Sequence, residues 1–252
     1  MKKPRVSLSS LILGKSSIDI LLNGIENNPS KSAYPKKDMV HYLCERILSE
    51  AEEQTKAIGR AYRDVLLFYP QERKYYHSVW HVMNMFENFS SRKSQFNLSI
   101  KDELALFFAI LFHDVVYKVG STENEDNSIE FAKEYFAINP IKGIDVDAVY
   151  NLIDVTKVSH KNFDNELEKI IHDLDWIGFI NYDIMVYNEE LIHNEATRDG
   201  ITDDEFFEGQ RKFYSYALSF DIYKTDAFKV YNAQAKENIR RRIAELEDMS
   251  KK

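Results

Sequence analysis

Glycine and proline are scarce in this chain, 8 and 5 of 252 residues, where average usage gives about 12% for the two together. A sandwich or barrel of short strands needs frequent turns, and doubly wound folds need glycine-rich turns after their strands, so both architectures are poorly served. Cysteine is nearly absent: Cys44 alone excludes an intramolecular disulfide and any cysteine-based zinc cluster. Long hydrophobic runs are missing too. The longest, Leu104–Phe112, spans nine residues, where a membrane helix needs about 20. The basic start, Met1 to Arg5, leads into an apolar stretch interrupted by Ser9 and Ser10, too short for a secretory signal. A cytoplasmic protein is expected. Basic excess is also lacking, with 33 Lys and Arg against 41 Asp and Glu and a net charge of −8. Such a balance repels a nucleic-acid backbone while leaving room for a local basic pocket for a small phosphate compound.

What is abundant is apolar and aromatic mass: 44% hydrophobic residues, with 2 Trp, 15 Tyr and 16 Phe. A chain of this length buries roughly 70 to 75% of its unfolded surface, so a sizeable core is expected. Three of the five prolines (Pro4, Pro29, Pro35) and many small polar residues fall in residues 1–36, read as an N-terminal extension. The remainder, 37–252, carries helical periodicity and reads as one all-α domain. From Asp38 the apolar residues Val40, Leu43, Ile47, Ile58, Ala61 and Val65 recur at helical spacing up to Pro70. A second helix is predicted over 76–89. Ser99 followed by Asp102 predicts an N-cap for the run Leu104–Phe112, the buried centre of the fold. Further helices are predicted over 124–138, 145–160, 165–180, 182–197, 203–219 and 226–248.

Seven histidines occur, and four of them form a pattern with carboxylates. His77 and His81, four apart on a predicted helix, project from one face. His113 and Asp114 end the most apolar helix, where an ionised carboxylate is costly unless paired or metal-bound. His172, Asp173 and Asp175 lie on a third predicted helix. Each part alone is commonly a surface or core-edge group; their order and separation make a mixed nitrogen and oxygen metal site the sharper reading.

The segments Tyr76-His77-Ser78-Val79-Trp80-His81, Phe112-His113-Asp114-Val115-Val116-Tyr117 with Asn124-Glu125 and Ser128, and Asp173-Leu174 with Gly178 resemble the HD superfamily of metal-dependent phosphohydrolases. More narrowly the chain resembles a bacterial subgroup of unassigned substrate. A weaker match continues through Tyr187, Glu195, Gly209, Arg211 and Ile222-Tyr223, so the resemblance covers roughly residues 38 to 245. It implies a helical bundle with a metal site at its centre and a divalent ion (Mn, Fe, Co, Ni, Zn or Mg) held by His81, His113, Asp114 and a final Asp. Two cues disagree on that Asp. Spacing from His172, as in the superfamily's cyclic-nucleotide phosphodiesterases, points to Asp175. The Asp-Leu pair with Gly178 points to Asp173, which also shares a helical face with Ile170 and Ile177. Asp173 is taken as the ligand and Asp175 as the alternative.

The implied reaction is hydrolysis of a small phosphate ester, such as a nucleotide, by metal-activated water, with His77 as general acid to the leaving group. Ser78 stands where the phosphodiesterases have Asn. Glu125 is read as a partner of a ligand His or of the attacking water, and Lys118 as a phosphate contact, with Arg73 and Lys74 as further candidates. Two other classes are retained. His160 and His172 would serve a second metal in a di-iron oxygenase of HD type, and a non-catalytic domain would sense a nucleotide without cleaving it. The partner expected is a small phosphorylated substrate, without nucleic acid or membrane; homo-oligomerisation stays open.

Overall fold

The computed structural model describes residues 52–249 apart from 71 and 161. The 1–36 extension and the first part of the predicted helix from Asp38 lie outside the described residues. Within them the fold is helical, with ten α-helices and no strand: α1 (Glu52–Leu66), α2 (Val79–Arg92), α3 (Ile100–Phe112), α4 (Asn124–Ile138), α5 (Val146–Val155), α6 (Glu166–Asp175), α7 (Tyr182–Arg198), α8 (Asp203–Ala217), α9 (Asp226–Lys229) and α10 (Asn232–Met249). Short 3₁₀ turns follow α2 at Lys93–Gln95 and α6 at Ile177–Ile180.

The centre is α3, as its composition predicts. Ser99 starts it with a reciprocal capping box: its hydroxyl accepts from the Asp102 N–H while the Asp102 carboxylate accepts from the Ser99 N–H at 3.1 Å. That satisfies donors which the helix itself leaves open. Every residue from Glu103 to Phe112 is buried, and α1, α2, α4, α5 and α6 pack around the helix. Phe107 stacks on Phe86, Phe108 meets Phe136 edge-on, and Phe112 packs at a tilt against Phe131, Tyr135 and Phe136 from neighbouring helices. Full burial of one such ring is worth about 1.5 to 3 kcal/mol. A helix buried on all sides has no tolerant face, so its C-terminus is rigidly placed. That terminus carries His113 and Asp114.

The second half of the chain wraps a layer of α7, α8 and α10 against the 3₁₀ turn after α6. Gly200 ends α7 in the left-handed region at φ 86°. Its N–H bonds the Thr197 carbonyl at 3.1 Å while the Ile201 N–H bonds the Ala196 carbonyl at 2.9 Å, a Schellman stop that a side chain at this φ would strain. In the layer's interior, Glu189 accepts from Arg242 at 2.6 Å and from the Tyr214 hydroxyl at 2.7 Å. This joins α7, α8 and α10 through one buried, paired carboxylate.

Several predicted boundaries shift. The helix predicted over 76–89 starts at Val79, because Ser78 adopts an extended backbone (φ −138°, ψ 175°). His77 therefore precedes the helix and does not share a helical face with His81. The helix over 145–160 stops at Val155, where the Thr156 hydroxyl turns back onto the Ile153 carbonyl at 2.7 Å. The helix over 165–180 breaks into α6 and a 3₁₀ turn at Trp176, and the one over 226–248 divides into α9 and α10.

Candidate metal centre

Three helices bring four donor atoms to one point. His81 comes from the first turn of α2, His113 and Asp114 from the end of α3, and Asp175 from the last residue of α6. His81 Nε2 lies 3.1 Å from His113 Nε2, 3.0 Å from Asp175 Oδ1 and 3.7 Å from Asp114 Oδ2. His113 Nε2 lies 3.0 Å from Asp114 Oδ2 and 3.8 Å from Asp175 Oδ1. All four atoms fall within 4.8 Å of one another.

The donor set fits a divalent cation. Donors about 2.1 Å from one metal sit about 3 Å apart when adjacent and about 4.2 Å apart when opposite, and the separations of 3.0 to 3.8 Å fall in that range. The tautomer fits as well. His113 Nδ1 lies 2.9 Å from the Ile110 carbonyl; that oxygen only accepts, so Nδ1 carries the proton and leaves the Nε2 lone pair facing the group. Two imidazole nitrogens at 3.1 Å, both also beside carboxylates, make a poor set of mutual hydrogen bonds and a good set of ligands. In the metal-free chain burial pushes the His113 pKa down, and the Asp114 and Asp175 carboxylates reverse this and lift it to about 9. Burial alone would raise the pKa of Asp114, but His113, His77 and His81 hold it well below the usual carboxylate range.

Asp173, the ligand chosen on sequence, is not brought to this group. Residues two apart on an α-helix point about 200° apart, so Asp173 and Asp175 cannot both face α2 and α3. The Asp173 carboxylate is wholly buried on the other side, where it accepts from Lys224 N–H at 2.7 Å, Thr225 N–H at 2.8 Å and the Thr225 hydroxyl at 2.7 Å. Burial raises its pKa to about 6 against those hydrogen bonds. Its buried setting reflects a structural clasp on the segment before α9, and Asp175, the alternative, stands in the group.

His77 lies beside the group in a different role. Its Nδ1 is 2.7 Å from Glu195 Oε2, its backbone N–H bonds Glu195 Oε1 at 2.7 Å, and Tyr117 stacks on its ring. These contacts aim Nε2 at the group, 4.0 Å from Asp114 Oδ2. Burial opposes a charge on this ring, yet Asp114 and Glu195 outweigh it and raise its pKa above the ordinary value. Glu195, on α7, is 1% exposed. In the sequence Glu195 belongs to the weaker family match and has no local signal of its own, because it stands about 100° round the helix from Ala196 on the apolar stripe Met185, Ile192 and Ala196.

The remaining candidates are dispersed. Glu125, in the first turn of α4, is half-buried; burial raises its pKa, with Asp114 and Asp175 adding to the effect. Lys118 is exposed, its backbone is pinned to the Asn124 side chain, and its charge acts on Asp199. Arg73 lies over the Trp80 ring and Lys74 over Tyr75. His160 turns back onto the Asn162 carbonyl, and His172 Nε2 bonds the Ile222 carbonyl at 2.9 Å. Neither reaches the group, and no second set of candidate ligands occurs among the described residues.

A cavity of about 510 Å³ opens from the group, with His77 and Asp175 on its lining. Its walls come from the 3₁₀ turn after α6, from α7 and α8, and from the loop Tyr117–Gly120. Among the described residues no helix is long and apolar enough to cross a membrane. No protein-family model matches the chain, and no curated protein matches it.

Proposed function

We propose that this protein is an HD-type metal-dependent phosphohydrolase that cleaves a small phosphate ester. The observation that carries this reading is the convergence of His81, His113, Asp114 and Asp175 within 4.8 Å, with His77 held beside them by Glu195. A divalent cation bound there supplies Lewis acidity, making water a better nucleophile near neutral pH and polarising a phosphoryl oxygen.

The chain's own residues supply the rest. The carboxylates of Asp114 and Asp175 and the two Nε2 lone pairs form a set that holds a cation at fixed depth at the cavity's end. Glu195 accepts a hydrogen bond from His77 Nδ1–H, and Asp114 and Glu195 together favour the charged imidazolium, in which Nε2 also carries a proton and faces the site. As the ester's P–O bond breaks and water's oxygen bonds phosphorus, His77 delivers its Nε2 proton to the leaving oxygen, which departs as the alcohol. Tyr117, stacked on the ring, fixes its plane, and the apolar walls limit competing water.

Assay of the purified protein with each divalent metal in turn against a phosphoester panel tests the reading. Phosphate release that vanishes in His113→Ala and Asp114→Ala supports it; release that persists in both refutes it.

A further inference from the structure

The cavity beside the metal group is unlike a polyphosphate or sugar site. No Lys or Arg side chain is on its lining, among the described residues, and its wall is largely apolar and aromatic, including Trp176, Phe179, Ile192, Phe206 and Phe213. The two glutamates on the lining are engaged within the fold: Glu189 with Arg242 and Tyr214, and Glu205 with the Thr202 N–H and hydroxyl in the capping box of α8. Glu189 is thus neutralised by Arg242 and Glu205 is committed through Oε2 to the helix cap, and no cation is on the lining to take an anionic ligand. A largely apolar concave wall with a few polar groups is what an uncharged ligand requires. Gly178 shapes this wall, since a Cβ there would lie 2.5 Å from Asn188 Nδ2.

We infer that the substrate is a phosphate monoester of an uncharged, ring-bearing alcohol, with its single phosphate at the metal group and its ring in this cavity. This rests on the phosphohydrolase reading. It commits that reading to one leaving-group class and excludes polyphosphates, hexose phosphates and aminoalkyl phosphates. Continuity carries the assignment: His77 and Asp175 line the cavity and belong to the site, so an alcohol leaving from phosphorus enters the apolar space directly. Water adds to phosphorus, and the alcohol and inorganic phosphate are released.

Two measurements separate this inference from the reading beneath it. The first needs no turnover: titration of 1-naphthol into the metal-free Trp80→Phe protein, in which Trp176 is the only tryptophan. Saturable quenching is expected, weakened about tenfold or more by Ile192→Glu, which sets a charge into the apolar wall. Absence of saturable quenching overturns the inference whether or not the protein hydrolyses anything. The second compares 1-naphthyl phosphate, glucose 6-phosphate, adenosine triphosphate and phosphocholine with the metal-loaded enzyme. The expected kcat/KM for 1-naphthyl phosphate is at least about tenfold above each of the others. Ile192→Glu is expected to raise its KM while leaving inhibition by inorganic phosphate unchanged. Equal or better turnover of any of the other three overturns the inference and leaves the phosphohydrolase reading standing. Hydrolysis of none of the four with any divalent metal overturns the inference and the reading beneath it together, even where naphthol quenching is intact.

Discussion

Asp173 and Asp175 stand two residues apart on α6 and serve opposite sides of it. Asp175 Oδ1 lies 3.0 Å from His81 Nε2 in the candidate metal group, while Asp173 accepts hydrogen bonds from Lys224 and Thr225. One helix turn thus contributes a donor to the site and a clasp to the segment Ile222–Thr225 behind it. Asp175→Ala is expected to weaken metal retention by about 100-fold or more with little loss of thermal stability. Asp173→Ala is expected to keep metal stoichiometry while lowering stability by about 3 kcal/mol, because it leaves buried N–H groups unpaired. Metal content and denaturant unfolding of the two variants check this; metal loss in Asp173→Ala alone would reverse the assignment.

On the proposed reading, His77 and Glu195 act on the proton rather than on the metal. His77→Ala is expected to retain bound metal and lower kcat by about 10² to 10⁴ with KM changed much less. Glu195→Ala is expected to lower kcat in the same sense by releasing the ring. Steady-state kinetics beside metal analysis decides it; loss of metal in His77→Ala would make His77 a ligand instead.

His172 makes acid stability depend on pH. Burial holds its pKa down to about 4, against about 6.5 in the unfolded chain. The unfolded state therefore binds the proton first, and stability is full above about 6.5 and falls as pH drops towards 4, by up to about 3 kcal/mol. Asp173, raised to about 6, acts in the opposite sense below that pH, so the comparison is between variants. His172→Gln is expected to be less sensitive to acid than the parent over pH 6.5 to 4 in denaturant unfolding of the metal-free protein; an unchanged slope contradicts this.

Ser99 contributes through its cap alone. Ser99→Ala is expected to lower stability by about 1 kcal/mol, with metal binding unchanged, as read by thermal unfolding and metal titration. A loss several times larger would place Ser99 in a tertiary role.

The helices were legible because burial writes a 3.6-residue period into a chain with few breakers. The run Leu104–Phe112 is buried throughout, and the capping signal at Ser99 and Asp102 is formed. α4 spans 124–138, the range that the pattern indicates. Breaks driven by tertiary contact were not legible: nothing local announces that Phe228 is fully buried and Val230 is 75% exposed where α9 ends. In the site, His81, His113 and Asp114 were legible from type and order. The last donor was narrowed to two: spacing from His172 pointed to Asp175, but the Asp-Leu pair favoured Asp173, and burial of a carboxylate does not tell which neighbour buries it, Asp173 being the more buried of the pair. Asn188 and Gln210 line the cavity without any sequence signal.

The most direct test of the account is metal content measured together with inorganic phosphate release, on the protein loaded with each divalent metal and on His113→Ala. The account predicts close to one metal per chain and ester hydrolysis in the parent, and neither in the variant. Two irons per chain with oxygen uptake, or hydrolysis that survives complete removal of metal, would contradict it.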